Sequence, residues 1–186
     1  MIVVPVFNSW WEVWQGSDYL PGKGLLILGE SWYGDATETP SDEKPIDDFI
    51  HEWIAKGGDW TFSRIFNICS GEHTSTASES ARKAFWNSVA FCNYVSGSVG
   101  PNRRFRPMES QFGSEEIVRR LGDILDRLRP AGVWILGRGQ AEFSEKVIRE
   151  RSGMACTVAR HPAYRRVIHD EFELSRSWQA LQAKLR

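Results

Sequence analysis

A three-layer α/β/α fold around a central, mostly parallel four-stranded sheet is the class this sequence predicts. Three observations predict it: four short apolar runs bounded by glycine, alanine or polar residues, helical patterns rather than tight turns between them, and no internal repeat. Gly24-Leu-Leu-Ile-Leu-Gly29 is a continuous apolar run, the pattern of a strand buried on both faces. After Pro45, Ile46, Phe49, Ile50, Trp53 and Ile54 recur at helical spacing and stop near Gly57-Gly58. Trp60 to Cys69 puts Phe62, Ile65, Phe66 and Cys69 on one helical face, and Ser78 to Asn87 makes another short helix.

Val89 to Val95 reads as the second strand, with the lone polar Asn93 in its middle, and Ser96 to Gln111, rich in Gly, Pro and Arg, reads as a long loop. Ser114 with Glu115 and Glu116 starts a helix whose stripe, Ile117, Leu121, Ile124, Leu125 and Leu128, ends at Arg129-Pro130. Gly132 to Gly137 is the third strand, a helix follows from about Ala141 to Arg151, and Ala155 to Ala159 is the fourth strand. Leu174, Trp178, Leu181 and Leu185 mark a closing helix.

With 186 residues, 41% hydrophobic and 25% charged, the chain is expected to form one globular domain spanning 1–186. Its 9 Trp and 10 Phe are first of all core material, and they also suit a protein that stacks on flat ligands. A net charge of −1 argues against a protein that coats nucleic acid by bulk positive charge, so any DNA contact is expected to be local. Cys69, Cys92 and Cys156 form no C-x-x-C pair, which argues against a disulfide framework or a cysteine-rich zinc or iron–sulfur site; buried thiols are expected. His51, His73, His161 and His169 show no close metal-binding pair. No apolar stretch approaches the roughly 20 residues that span a bilayer, and Met1 to Phe7 lacks a leader pattern, so a soluble, cytoplasmic protein without a membrane partner is expected.

Ligands of parallel sheets sit beyond the carboxyl ends of the strands. That rule selects Glu30-Ser-Trp-Tyr-Gly-Asp35, Asn93, and Arg160 to Arg166. Glu30, directly after a buried strand, is placed to orient water or oppose a developing positive charge; a loop glutamate bound to a helix N-terminus is the alternative. Asp35 is a second carboxyl of the same kind. His161 is held between a strand end and Pro162, which restricts the backbone. Asn93 offers both donors and an acceptor, the complement of a pyrimidine edge, whereas a structural asparagine would satisfy them with backbone.

Taken in order, Gly29-Glu30-Ser31, Asn93-Tyr94-Val95, Asn102-Arg103, Arg106-Pro107, Glu109, Arg129-Pro130, Leu136-Gly137-Arg138 and His161-Pro162-Ala163 resemble the uracil-DNA glycosylase superfamily. The resemblance covers roughly Leu25 to Arg166 and is nearest to the branch that carries an iron–sulfur cluster. It implies that Glu30 matches the acidic residue that assists water attack or stabilises the sugar cation. Asn93 matches the strand asparagine that reads the base edge, and His161 the histidine that hydrogen-bonds uracil O2 as the base departs. Phe62, ahead of Phe66, matches the aromatic that stacks on the flipped base, unless both are core; Tyr33 walls the pocket, beside Ser31. Arg103, Arg104 and Arg106, then Arg160, Arg165 and Arg166, would contact phosphates around the mouth, or form a solvated basic face.

The sequence departs from that family at three places. The cluster cysteines are absent, so no cofactor is expected; Ser31-Trp32-Tyr33 replaces the small residue, Pro and Gly of the branch; Ala163 replaces Ser. The resemblance implies a monomeric repair enzyme that hydrolyses the N-glycosidic bond of a deaminated base, uracil foremost, in single- or double-stranded DNA. One alternative keeps the fold as a non-catalytic DNA- or nucleotide-binding module. Another is a small-molecule hydrolase with Ser31 as nucleophile, disfavoured because no G-x-S-x-G elbow is evident.

Overall fold

The computed structural model describes residues 13–31, 46–96, 107–151, 153–162 and 167–186. Its centre is a five-stranded sheet in the order β1-β3-β2-β4-β5, formed by β1 (Val13–Gln15), β2 (Leu25–Gly29), β3 (Val89–Asn93), β4 (Gly132–Leu136) and β5 (Ala155–Ala159). The strands β2 to β5 run parallel, and β1 pairs antiparallel with β3 at one edge. Side chains alternate between the faces of a strand, and here both faces are covered. Ile27, Phe91 and Trp134 face one apolar cluster, while Leu26, Leu28, Cys92 and Ile135 face the other. Burying a side chain of this size contributes about 1.5–3 kcal/mol, which is why these runs carry no polar alternation.

The first cluster is roofed by α1 (Ile46–Lys56), α2 (Trp60–Ser70), α3 (Glu79–Ser88) and α7 (Val167–Lys184). Helices α5 (Glu115–Leu128) and α6 (Ala141–Arg149) cover the second, with the single turn α4 (Glu109–Phe112) beside them. The layering is therefore α/β/α, as expected, with five strands instead of four. Local chemistry sets the helix ends. Asp59 caps α2 by accepting from the N–H groups of Thr61 and Phe62 (2.8 and 3.0 Å), Gly71 closes it at φ 74°, and Ser78 caps α3 through Ala81 N–H.

Strand β3 stops at Asn93, so this asparagine ends the strand instead of lying in its middle. Tyr94 and Val95 leave the ladder while still donating their N–H groups to Gly29 O and Glu30 O. The expected loop Ser96 to Gln111 includes the start of α4. Phe49, expected on the buried stripe of α1, is 38% exposed and meets Phe62 edge-on at 5.1 Å. Cys92 is buried, whereas Cys69 and Cys156 are partly buried; all three are free thiols, and burial raises the pKa of Cys69 and Cys156. Among the described residues, no helix is long and apolar enough to cross a membrane.

Tyr94 is 1% exposed and donates its hydroxyl to Phe112 O at 2.8 Å; burial pushes its pKa up from 10.0 to about 12. The folded chain thus keeps this proton at a pH where the unfolded chain releases it. The stabilisation is complete below pH 10 and is lost as pH climbs through about 12. The melting temperature should therefore fall over that interval, and Tyr94→Phe should flatten the fall when melts are compared across it. An equally steep fall in the variant would remove Tyr94 as a cause.

Candidate functional site

The connection β2 to β3 runs through α1–α3 on one face, and that from β3 to β4 returns through α4 and α5 on the other. The chain therefore reverses direction across the sheet between β2 and β4. In doubly wound sheets such a reversal opens a crevice beyond the strand ends. A cavity of about 510 Å³ lies there. Glu30 after β2, Arg138 and Gly139 after β4, and Arg160 and His161 after β5 line it, with Phe112 of α4 as an aromatic wall.

Glu30 is 5% exposed. Its carboxyl lies against the β4 loop: a Cβ placed on Gly137 would stand 2.8 Å from Glu30 Oε2, and one on Gly139 would stand 3.5 Å from it. Gly137 also has φ 138°, which a side chain would strain. The sequence thus brings the acid and the loop together only because both loop positions lack a side chain. Gln140, fully buried, ties the crevice shut below: its Nε2 donates to Gly29 O at 2.9 Å and Leu136 O at 3.3 Å. It bridges the two strands where they begin to part.

Asn93 is 4% exposed and pairs in register with Gly29. Its side chain shares the face of Phe91 and crosses the Gly29 backbone so closely that a Cβ on Gly29 would meet Asn93 Oδ1. No hydrogen bond reaches its amide from any described residue, so the backbone does not satisfy it as a structural asparagine requires. Asn93 therefore shares the rim with Glu30, one strand away, but is not among the residues lining the cavity. Arg120 of α5, 8% exposed, fixes this strand end by donating from Nη1 to Asn93 O at 2.9 Å.

Phe62 is not brought to the cavity. It is 3% exposed and packs against Trp86 and Phe91, with centroids at 5.1 and 5.0 Å, so both Phe62 and Phe66 are core. The helical periodicity that places it beside Ile65 outweighs the stacking role, and Phe112 is the aromatic at the cavity instead. Ser31 is 5% exposed, and among the described residues its hydroxyl meets no hydrogen-bond partner that would activate it as a nucleophile. Tyr33, Asp35, Arg103, Arg104, Arg106, Arg165 and Arg166 lie outside the described residues.

Two positions that sequence reasoning did not single out shape the third strand-end segment. Arg64 of α2, 4% exposed, donates from Nη1 to Pro162 O at 2.8 Å and approaches Glu171 at 3.4 Å, bracing the turn after His161 from below. Glu173 of α7 accepts from the Arg160 N–H at 3.2 Å and from Arg138 Nη2 at 2.9 Å. Buried arginines leave no periodic signal, because a solvated arginine looks the same in sequence. Among the described residues no group of three metal-ligating side chains occurs. No family model matches the chain, and no curated protein matches it.

Proposed function

We propose that the protein is a DNA glycosylase that hydrolyses the N-glycosidic bond of a flipped, deaminated base, uracil foremost. The observation that carries this reading is that Glu30 and His161, from the ends of two strands far apart in sequence, line one cavity at the reversal of the sheet. The supporting chemistry is that of a sugar cation and a departing anion. As the C1′–N1 bond breaks, its electron pair leaves with the base and positive charge grows on the sugar. The Glu30 carboxyl opposes that charge and orients water toward C1′, while the imidazole of His161 donates a hydrogen bond to the base oxygen that gains charge. The water loses a proton as its oxygen bonds to C1′, and the base leaves protonated.

On this reading the cavity takes the deoxyribose, and the base extends along the rim toward the amide of Asn93. Three interstrand steps separate β3 from β5, about 14 Å at the usual spacing. A nucleotide that meets both Asn93 and His161 has to span that distance less the reach of the two side chains.

The test is release of free base from single- and double-stranded oligodeoxynucleotides carrying one uracil or one hypoxanthine, measured under single turnover. Release from the uracil strands is expected, and no release from any of the four substrates would refute the reading. Tight binding to a uracil strand without release would support instead the non-catalytic module that the same rim would serve.

A further inference from the structure

A second cavity, of about 390 Å³, shares no lining residue with the first. It opens between the end of α1 at Lys56, the face of α2 that carries Trp60, Arg64 and Asn67, the segment 73–75 and Glu171 of α7. Its hydrogen-bonding groups are biased toward donors. Asn67 Oδ1 accepts from Thr74 N–H at 2.8 Å and from Thr74 Oγ1 at 2.6 Å, which fixes the orientation of the amide; its Nδ2 makes no hydrogen bond among the described residues. His73 Nδ1 accepts from Ser75 N–H at 3.2 Å, so in the neutral ring the proton sits on Nε2, which is then a donor. Arg82 reaches the wall with Nε, Nη1 and Nη2 engaged by the carbonyls of Ile54, Ala77 and Ala55, at 2.7, 2.9 and 3.1 Å. Those acceptors are neutral, so the charge of Arg82 stays at the cavity beside that of Lys56. Arg64, 4% exposed, holds its guanidinium 4.6 Å from the ring centroid of Trp60. Its Nη1 donates to Pro162 O at 2.8 Å, whereas its Nη2 meets Glu171 Oε1 at 3.4 Å. That longer contact, with a carboxylate on a side chain 58% exposed, puts an oxyanion at the cavity corner of the guanidinium.

We propose that the second cavity binds a small oxyanion, the phosphate or carboxylate group of a small molecule, and that Arg64 carries its presence to the turn at His161. The ligand takes the place of the exposed Glu171 carboxylate at Arg64 Nη2 and meets the donors of Asn67, His73 and Lys56, while the half-exposed ring of Trp60 offers a flat wall to its carbon frame. A guanidinium is planar and rigid, so drawing one corner toward the cavity shifts the other against Pro162 O, one residue from His161. Such coupling acts in both directions, because it is a free energy shared by two sites. The site stands on its own residues, whether or not the first cavity cleaves a glycosidic bond.

The experiment follows the histidine side chains of the full chain by NMR while inorganic phosphate, and in a separate series citrate, is added at constant pH and ionic strength. His73 reports on the second cavity and His161 on the turn; His51, which lines neither cavity, is the control. Saturable shifts of His73 and His161 with one common midpoint are expected, with His51 unmoved. A response to phosphate alone assigns a phosphate group, one to citrate alone a carboxylate, and one to both an oxyanion of either kind; each supports the site. Glu171→Gln removes the competing carboxylate and should tighten binding about two- to fivefold, and Lys56→Gln, at an exposed side chain, should weaken it by a similar factor. Arg64→Lys keeps the charge and loses the fork, so His73 should still respond while His161 does not. Should that variant fail to fold, the other two decide, because the His161 midpoint must move with that of His73 in both. No shift at His73 with either probe, or midpoints unchanged in Glu171→Gln and Lys56→Gln, would overturn the site, and a His73 isotherm with no response at His161 would overturn the coupling. Neither readout uses base release, so failure of the glycosylase reading leaves this test intact.

Discussion

Glu30→Gln is expected to slow single-turnover release of uracil by about 10²–10³-fold while leaving the melting temperature within a few degrees of the parent. The substitution keeps shape and volume and removes only the capacity to carry negative charge or accept a proton. Its effect should be large because Glu30 is 5% exposed, and electrostatic stabilisation of a transition state is worth most where water is excluded. His161→Ala should fall in the same range, since in the proposed mechanism it removes the donor to the departing base. The double variant should be little slower than the worse single one if the two groups act on one transition state. Rates within twofold of the parent for both single variants would remove Glu30 and His161 from the chemistry.

Gly137→Ala should damage the same step without touching either reacting group. At φ 138° an alanine is strained, at a cost of about 1–3 kcal/mol, and its Cβ would stand 2.8 Å from Glu30 Oε2 and 3.2 Å from Glu30 Cβ. The carboxyl must move. A drop in melting temperature of roughly 2–10 °C is expected from the strain, together with a rate close to that of Glu30→Gln. Gly71→Ala provides the control, because Gly71 also has positive φ, 74°, but nothing lies within 4 Å of its Cβ position. It should lose stability and keep its rate. If Gly137→Ala were as active as Gly71→Ala, contact between the β4 loop and Glu30 would not govern the site.

The parts of the fold that were legible in sequence are those where one physical demand acts along a whole segment. Leu25 to Gly29 and Gly132 to Leu136 are buried on both faces, so they read as unbroken apolar runs, and α5 needs one face buried, so Leu121, Ile124, Leu125 and Leu128 repeat at helical spacing. The edge strand β1 was not legible: three residues in antiparallel pairing with β3 are too few to show alternation. The single turn α4 fails for the same reason, and with it the placement of Phe112 at the cavity. Asn93 reads as mid-strand in sequence because Tyr94 and Val95 continue the apolar run after the ladder has ended.

Positions after the strands were legible because topology fixes where they emerge. Glu30 and His161 follow two parallel strands on the same end of the sheet, and side-chain reach does the rest. What orients them was not legible, since it depends on contacts between residues distant in the chain. Examples are Arg64 at Pro162 O, Gln140 at Gly29 O and Glu173 between two arginines. Each is an ordinary polar residue until its partner is known. Phe62 shows the opposite case, in which helical spacing with Ile65 and Phe66 already carried the information that it belongs to the core.

The most direct test of this account is a crystal structure of the Glu30→Gln variant bound to a deoxyuridine oligonucleotide. The flipped nucleotide should place its deoxyribose in the cavity between position 30 and His161, with C1′ facing position 30 and the uracil edge hydrogen-bonded to the Asn93 amide. A nucleotide bound on another face of the sheet, or a uracil that leaves Asn93 without a partner, would contradict it.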